Sequence, residues 1–206
     1  MKKGTRKIKS GVPLGRPRAF DPDKALDRAV KVFWQKGYEG ASLSELTKAM
    51  RINRPSLYSA FGNKEDLFRK ALDRYMEGHT TNMRLALKEP TARAVAERMM
   101  EAAAEMLTDP HHPRGCLTVQ GALCCGDDAS CIREELKSRR AASEAAILAR
   151  FERAKSEGDL AADADPAALA RFLATVLHGM AVQSASGATR DELRQVARTG
   201  LQAWPA

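Results

Sequence analysis

The sequence predicts an all-α fold of about nine helices, and three observations support that prediction. Strand-type alternation of apolar and polar residues is absent, β-branched residues are sparse, and Ala, Leu, Glu, Arg and Met dominate the chain after residue 20. The 206 residues, of which 44% are hydrophobic, are sufficient to bury a core.

Composition excludes several classes of protein. No apolar run approaches the ~18 residues that a membrane span requires, and no apolar stretch follows the basic N-terminus as it would in a secretory signal. Four cysteines are too few for a disulfide scaffold, so we expect reduced thiols and a cytoplasmic location.

The formal net charge of +8 is unevenly distributed along the chain. Residues 1–88 carry a net charge of +11 and eight of the eleven aromatic side chains, whereas residues 89–206 carry a net charge of −3. This asymmetry indicates a front part that faces nucleic acid, and a basic disordered tail on a neutral protein is the alternative.

Residues 1–19 are predicted to be a basic, disordered arm. Within it, Arg16 and Arg18 belong to a Gly-Arg-Pro-Arg segment that is extended, cationic and slim. Such a segment suits an arm that lies in a minor groove of DNA. The alternative interpretation is a solubilising tail.

Capping signals mark the first two helices. Asp21 is predicted as an N-cap with Pro22 at the first helical position, and Gly37 is predicted to end this helix. Ser42 and Glu45 are spaced as a capping box, which predicts the start of the second helix.

A short third helix is predicted from about Arg54 to Ala60, and Asn63 is predicted to cap a long fourth helix. Two short helices after a longer supporting helix form a helix-turn-helix arrangement. The third helix would point Leu57 and Phe61 inward. The side chains it would point outward are donors suited to base edges and phosphates, namely Arg54, Ser56, Tyr58 and Ser59.

The segments SLSEL at 42–46 and INRPSLYSAFGNKEDLF at 52–68 resemble the DNA-binding domain of the TetR family of bacterial repressors. The resemblance covers roughly residues 15–75. It implies a homodimeric, ligand-responsive transcriptional regulator, a repressor of a palindromic DNA operator, with no cofactor and no enzyme activity. It also implies a DNA-binding domain at 20–70 and a ligand-binding and dimerisation domain at 71–206.

The resemblance implies roles for individual residues. Arg54, Pro55 and Ser56 would open the recognition helix, with Arg54 and Ser56 facing base edges. The residues that would contact phosphate or lie beside such a contact are Ser42, Ser44, Tyr58, Ser59 and Lys64. Arg51 stands where many members have Gly, and a left-handed conformation there would cost roughly 1 kcal/mol, which we expect to be tolerated.

Five further helices are predicted after residue 90, separated by a Pro- and Gly-containing loop at 109–115 and by glycines. The helix at 165–184 is apolar nearly all round, which predicts burial on every face and favours pairing with a second copy. The resemblance implies an effector pocket between residues of about 80 and 180. The candidates for its lining are Met83, Met99, Met106, Cys116, Gln120, Phe172, Met180 and His178.

The cysteines at 116, 124, 125 and 131 leave alternatives open. We expect them to pack as small apolar side chains. A thiol-redox regulator of the same fold, or a metal-responsive one that uses His112, is the alternative. A small thiol enzyme that uses Cys116 or Cys124 with a histidine is a remote alternative. No metal site is predicted, since the spacing contains no Cys-x-x-Cys motif.

Overall fold

The structure, a computed structural model, describes residues 20–121 and 129–205. Within these ranges the chain is helical and contains no strand. The nine helices are α1 (Pro22–Gly40), α2 (Leu43–Met50), α3 (Arg54–Phe61), α4 (Lys64–Ala86), α5 (Ala92–Leu107), α6 (Leu117–Gln120), α7 (Ser130–Ser156), α8 (Pro166–Ala185) and α9 (Arg190–Gln202). The predicted all-α class is confirmed.

Side-chain caps begin three of these helices where the sequence predicts them, at Asp21, Ser42 and Asn63. The Asp21 carboxylate accepts hydrogen bonds from the amides of Asp23 and Lys24. The predicted capping box of Ser42 and Glu45 is present at the start of α2. The Asn63 side chain accepts from the Asp66 amide at the start of α4. Each cap satisfies amides that have no partner inside their own helix.

The helices α1 to α3 form the front layer of the molecule, in which α1 and α3 pack on α4 while α2 packs on α1 and α3. Phe33 of α1, Leu46 of α2 and Leu57 of α3 are fully buried there. The Phe33 ring meets the Phe68 ring edge to face, with centroids 5.0 Å apart. This shared core fixes the orientation of α3, because its inner face can be buried in one way only.

The second half of α4 joins a bundle formed by α5 to α9, in which α7 pairs with α8 and α5 pairs with α9. Among the five helices predicted after residue 90 is a short apolar one at about 116–125. It is described only in part, as α6, since residues 122–128 lie outside the described ranges. No helix in the described ranges is long and apolar enough to cross a membrane.

Two residues with a positive φ, Gly37 and Arg51, lie near the end of α1 and between α2 and α3. Gly37 has φ 69° and ψ −177°, which interrupts α1 at the predicted place, although helical residues continue to Gly40. Arg51, between α2 and α3, has φ 59° and ψ 42°. This is the left-handed conformation whose cost was considered from the sequence. Arg51 is the one non-glycine residue with positive φ among the described residues.

We predict that Arg51→Gly raises the free energy of unfolding by up to about 1 kcal/mol, because the left-handed conformation is unfavourable for a residue with a Cβ atom. Urea denaturation would measure the change. Arg51→Ala is the matched control, since it removes the charge but keeps the Cβ atom, and it should give no gain. An equal gain in both variants would attribute the effect to charge instead.

Candidate DNA-binding surface and effector pocket

The outer face of α3 is exposed and polar. Arg54 and Pro55 form its first turn at the surface, and Tyr58 is 49% exposed while Leu57 is fully buried behind it. Asn53 caps the helix by accepting a hydrogen bond from the Ser56 amide at 2.9 Å. The first turn contains no acidic residue. The positive end of the helix dipole therefore faces outward with Arg54, an arrangement that suits an anionic partner.

Further polar groups lie on α2, on α3 and at the start of α4. Ser44 is exposed in the first turn of α2, and Ser59 is exposed on α3. Lys64 begins α4 immediately after α3, and its ammonium group lies 4.6 Å from the centroid of the Tyr38 ring. Arg16 and Arg18, the predicted minor-groove residues, lie outside the described residues.

The hydroxyl of Ser42 already makes two hydrogen bonds within the protein. It donates to the Glu45 carboxylate at 2.8 Å and accepts from the Glu45 amide at 3.2 Å. Lys36 of α1 forms an ion pair with the same carboxylate. The Lys36 ammonium and the Ser42 donors lower the pKa of Glu45 to about 2. This network secures α2 to α1, and Ser44 is better placed than Ser42 to donate to an external phosphate.

A cavity of about 160 Å³ lies between α4, α5, α6, α7 and α8. Five of the predicted candidates line it, namely Met83, Met99, Met106, Cys116 and His178. Further apolar walls come from Met76, Ile147 and Leu177. The lining therefore unites side chains from helices that are far apart in sequence.

Three of the predicted lining residues lie elsewhere. Phe172 faces α9, where its ring is near that of Trp204 with centroids 6.5 Å apart. The Gln120 side chain occupies the space beside the Cα atom of Gly115. Met180 is buried in the bundle away from the cavity. None of the three lines this cavity, because helical periodicity identifies an inner face but not which neighbour it meets.

The cavity has a polar wall that includes Thr118 and Arg140, which were not predicted from the sequence, and Tyr75 supports this wall from outside the lining. The hydroxyl of Tyr75 donates to Cys116 Sγ at 3.3 Å and accepts from the Leu117 amide at 3.2 Å. Cys116 Sγ lies 3.0 Å from the hydroxyl of Thr118. Arg140 donates to the carbonyl oxygen of Thr118. Burial raises the pKa of Tyr75 well above its usual value, so its hydroxyl stays protonated.

Two histidines line the cavity, and burial favours the neutral form of each. Burial lowers the pKa of His79 to about 4, and the Nε2 atom of His79 is buried with no hydrogen-bond partner. The pKa of His178 is lowered by burial first and then by the nearby Arg140 guanidinium. The only sequence signal for His79 is its position one helical turn after Tyr75 and Met76 on α4.

The cysteines are split between two environments. Cys116 is buried, as expected for an apolar packing residue, whereas Cys131 is exposed and contradicts that expectation. Cys124 and Cys125 lie outside the described residues. Within the described ranges no three His, Cys, Asp or Glu side chains form a metal-binding group. His111 and His112 instead both approach the Asp109 carboxylate, at 2.9 and 3.3 Å.

One side chain joins the front layer to the cavity region. Trp34 of α1 donates from Nε1 to the carbonyl oxygen of Gly115 at 2.9 Å. Its ring meets the Tyr75 ring edge to face at 4.6 Å and stacks on His112 at 5.7 Å. The loop that leads into Cys116 is thereby attached to the helix that supports α2 and α3.

Comparison with known proteins assigns both parts of the chain. Residues 25–71 match the family described as bacterial regulatory proteins, tetR family, and residues 90–200 match the tetracyclin repressor-like C-terminal domain. The HTH-type transcriptional repressor ComR of Escherichia coli (strain K12) is 35% identical over 193 residues, which are 93% of this chain and 92% of ComR.

Two further proteins are similar to this chain. The HTH-type transcriptional repressor BdcR of Escherichia coli (strain K12) is 36% identical over 117 residues, which are 56% of this chain and 58% of BdcR. A cysteine-substituted form of the TetR family transcriptional regulator CifR has been solved in complex with a 26-base-pair operator DNA. It superposes with a TM-score of 0.90 at 45% identity and covers 93% of this chain and 100% of that chain.

We predict that the Glu45 carboxylate stays ionised down to about pH 3.5 in the folded protein. Because its folded-state pKa is below the usual 4.5, its contribution to stability is present above pH 4.5 and is lost as the pH falls toward about 2. Carboxyl chemical shifts measured against pH would show this. Lys36→Met should raise the pKa, whereas the control Lys31→Met should not, and titration of the wild-type group near 4.5 would refute the network.

Proposed function

Since this chain belongs to the TetR family of bacterial regulatory proteins, we propose that it is a ligand-responsive transcriptional repressor that binds a palindromic DNA operator as a homodimer. The exposed first turn of α3, with Arg54 at the positive end of the helix, is the observation that carries the proposal. The operator complex of CifR, a protein 45% identical to this chain, supports it. The protein acts as a regulator and not as an enzyme, in the cytoplasm where its DNA target lies.

The DNA contacts divide into a reading set and a positioning set. Arg54 and Ser56 at the start of α3 read base edges in the major groove, with Pro55 between them. The positioning set contacts phosphates or lies beside such a contact, and it consists of Ser44, Tyr58, Ser59 and Lys64, with Ser42 beside them as the cap of α2. Arg16 and Arg18 extend this surface into the minor groove.

A face of α8 and α9 forms the contact between the two copies. Val182 of α8 is 44% exposed and Val196 of α9 is 42% exposed, and they are two of the four exposed large apolar side chains among the described residues. Thr175 and Gly179 are exposed on the same side of α8, two turns and one turn before residue 182 respectively. These small residues allow close approach of a second helix, and a twofold axis places two α3 helices on successive turns of DNA.

The cavity between α4 and α8 holds the effector, which shifts the equilibrium between a DNA-binding state and a released state. Residues 20–70 form the DNA-binding domain and residues 71–206 the ligand-binding and dimerisation domain. The helix α4 crosses this division without interruption. Its first turn lies beside α3, and its residues Met76, His79 and Met83 line the cavity.

We predict that Arg54→Ala reduces discrimination between the operator and random DNA by about 1–3 kcal/mol, because a bidentate contact to a base is lost. An operator would first be selected from a random-sequence library with the wild-type protein. Fluorescence anisotropy with the selected and a scrambled duplex would then give both affinities.

Lys64→Ala is the comparison variant for that experiment. It should weaken binding to both duplexes alike and reduce the salt dependence by about one phosphate equivalent, because a phosphate contact carries no sequence information. Unchanged discrimination in Arg54→Ala would refute the reading role. An unchanged salt slope in Lys64→Ala would refute the positioning role.

We predict that Gly179→Arg converts the dimer to a monomer of 22.5 kDa, measurable by sedimentation equilibrium. A Cβ atom at Gly179 meets nothing within 4 Å in the protomer, so the new side chain disturbs the second copy and not the fold. Gly78→Arg is the matched control, because Gly78 is also helical, exposed and without neighbours within 4 Å. A dimer in both variants would contradict the proposed interface.

A further inference from the structure

The cavity lining separates into an apolar side and a polar side. The methionines of α4 and α5, together with Ile147 and Leu177, form the apolar walls. The polar side contains His79, Cys116, Thr118 and Arg140. Tyr75 does not itself line the cavity, but its ring lies 4.3 Å from the His79 ring and its hydroxyl donates to Cys116. Cys116 contacts the Thr118 hydroxyl, and Arg140 donates to the Thr118 carbonyl oxygen. Such a lining fits an amphipathic ligand with one polar end.

Within the described lining, the polar wall carries one cation and one carboxylate, Arg140 and Glu144. Arg140 is the one Lys or Arg among the described residues that line the cavity. Its described hydrogen bond goes to a carbonyl oxygen, and no described carboxylate lies within ion-pair distance of it. Glu144 also lines the cavity, but its carboxylate is paired with Arg171. A half-buried guanidinium without a carboxylate partner favours an anion that enters the cavity.

His79 supplies a second group that lacks a partner. Its Nε2 atom is buried and makes no hydrogen bond within the described part of the chain. Buried polar atoms in proteins are nearly always paired, so an unpaired one that lines a cavity indicates where a ligand atom or a water completes the site. The ring is neutral, and it can therefore accept or donate one hydrogen bond without adding charge.

The volume of the cavity limits the size of the ligand. It measures about 160 Å³. A cavity of about 150 Å³ in another protein binds benzene, so a single six-membered ring or a short alkyl chain fits here. Larger polycyclic molecules exceed this volume.

We propose that the effector is a small apolar monocarboxylate, about the size of benzoate, whose carboxylate binds Arg140 while its apolar part lies against the methionines of α4 and α5. This proposal rests on the proposed function, because it identifies the class of molecule that the effector pocket takes. His79 and Thr118 complete the polar end of the site. Neutral molecules of equal size lack the charge that Arg140 requires and bind more weakly.

Isothermal titration calorimetry of the full chain without DNA tests the proposal, with sodium benzoate and benzyl alcohol at constant ionic strength as probes. Both probes carry one ring and one oxygen-containing end, and they differ in charge. We expect benzoate to bind on the order of tenfold to a hundredfold more tightly, the range of a hydrogen bond to a charged group. Equal affinities, a preference for the alcohol, or no binding of benzoate would overturn the proposal.

Variants at Arg140 test whether this side chain causes the preference for benzoate over benzyl alcohol. Arg140→Gln should abolish the preference for benzoate, whereas Arg140→Lys, which keeps the charge, should retain part of it. Arg153→Gln is the matched control, because it makes the same change on the surface of α7 outside the cavity and should bind both probes as the wild type does. Circular dichroism verifies that each variant is folded. A preference for benzoate that survives in a folded Arg140→Gln protein would overturn the assignment.

A second measurement separates this proposal from the proposed function. Fluorescence anisotropy of the selected operator duplex, titrated with each probe, reports DNA binding and its release. If benzoate binds through Arg140 but no duplex is selected, the ligand class stands and the repressor function fails. If the duplex is bound but benzoate does not bind the protein, the repressor function stands and the ligand class is refuted.

Discussion

One hydrogen bond and two ring contacts attach the DNA-facing layer to the region around the cavity. Trp34 of α1 donates to the carbonyl oxygen of Gly115, and its ring lies against Tyr75 and His112. Because this N–H group is buried, breaking the bond without a replacement partner would cost about 1–3 kcal/mol. The loop that leads into Cys116 and the helix that supports α2 and α3 therefore have to shift together.

The DNA-facing layer could be predicted closely from the sequence because its signals are local. The caps at Asp21, Ser42 and Asn63 each act within three residues of their own position, so helix starts are encoded in short segments. The outward face of α3 follows from the burial of Leu57 and Phe61 at helical spacing. The end of α1 was harder to locate, since Gly37 breaks the helix while α1 continues for three more residues.

The cavity could be predicted only in part, because its walls depend on how helices meet. Met99 and Met106 were identified from the inner face of one helix, whereas Arg140 comes from a helix whose periodicity does not single it out. Phe172 lies on a helix that is apolar nearly all round, so its sequence position does not reveal that it faces α9. Val182 lies on the same apolar helix, so the sequence does not reveal that its side chain is exposed in the single protomer.

The unbroken length of α4 has a mechanical consequence. Its 23 residues span about 35 Å at a rise of about 1.5 Å per residue. A tilt of about 5° around one end of such a rod moves the other end by about 3 Å. That distance is comparable to a hydrogen-bond length, and hydrogen bonds to bases tolerate much smaller errors. A small tilt of α4 at its cavity end therefore displaces the end beside α3 far enough to move α3 out of register with DNA.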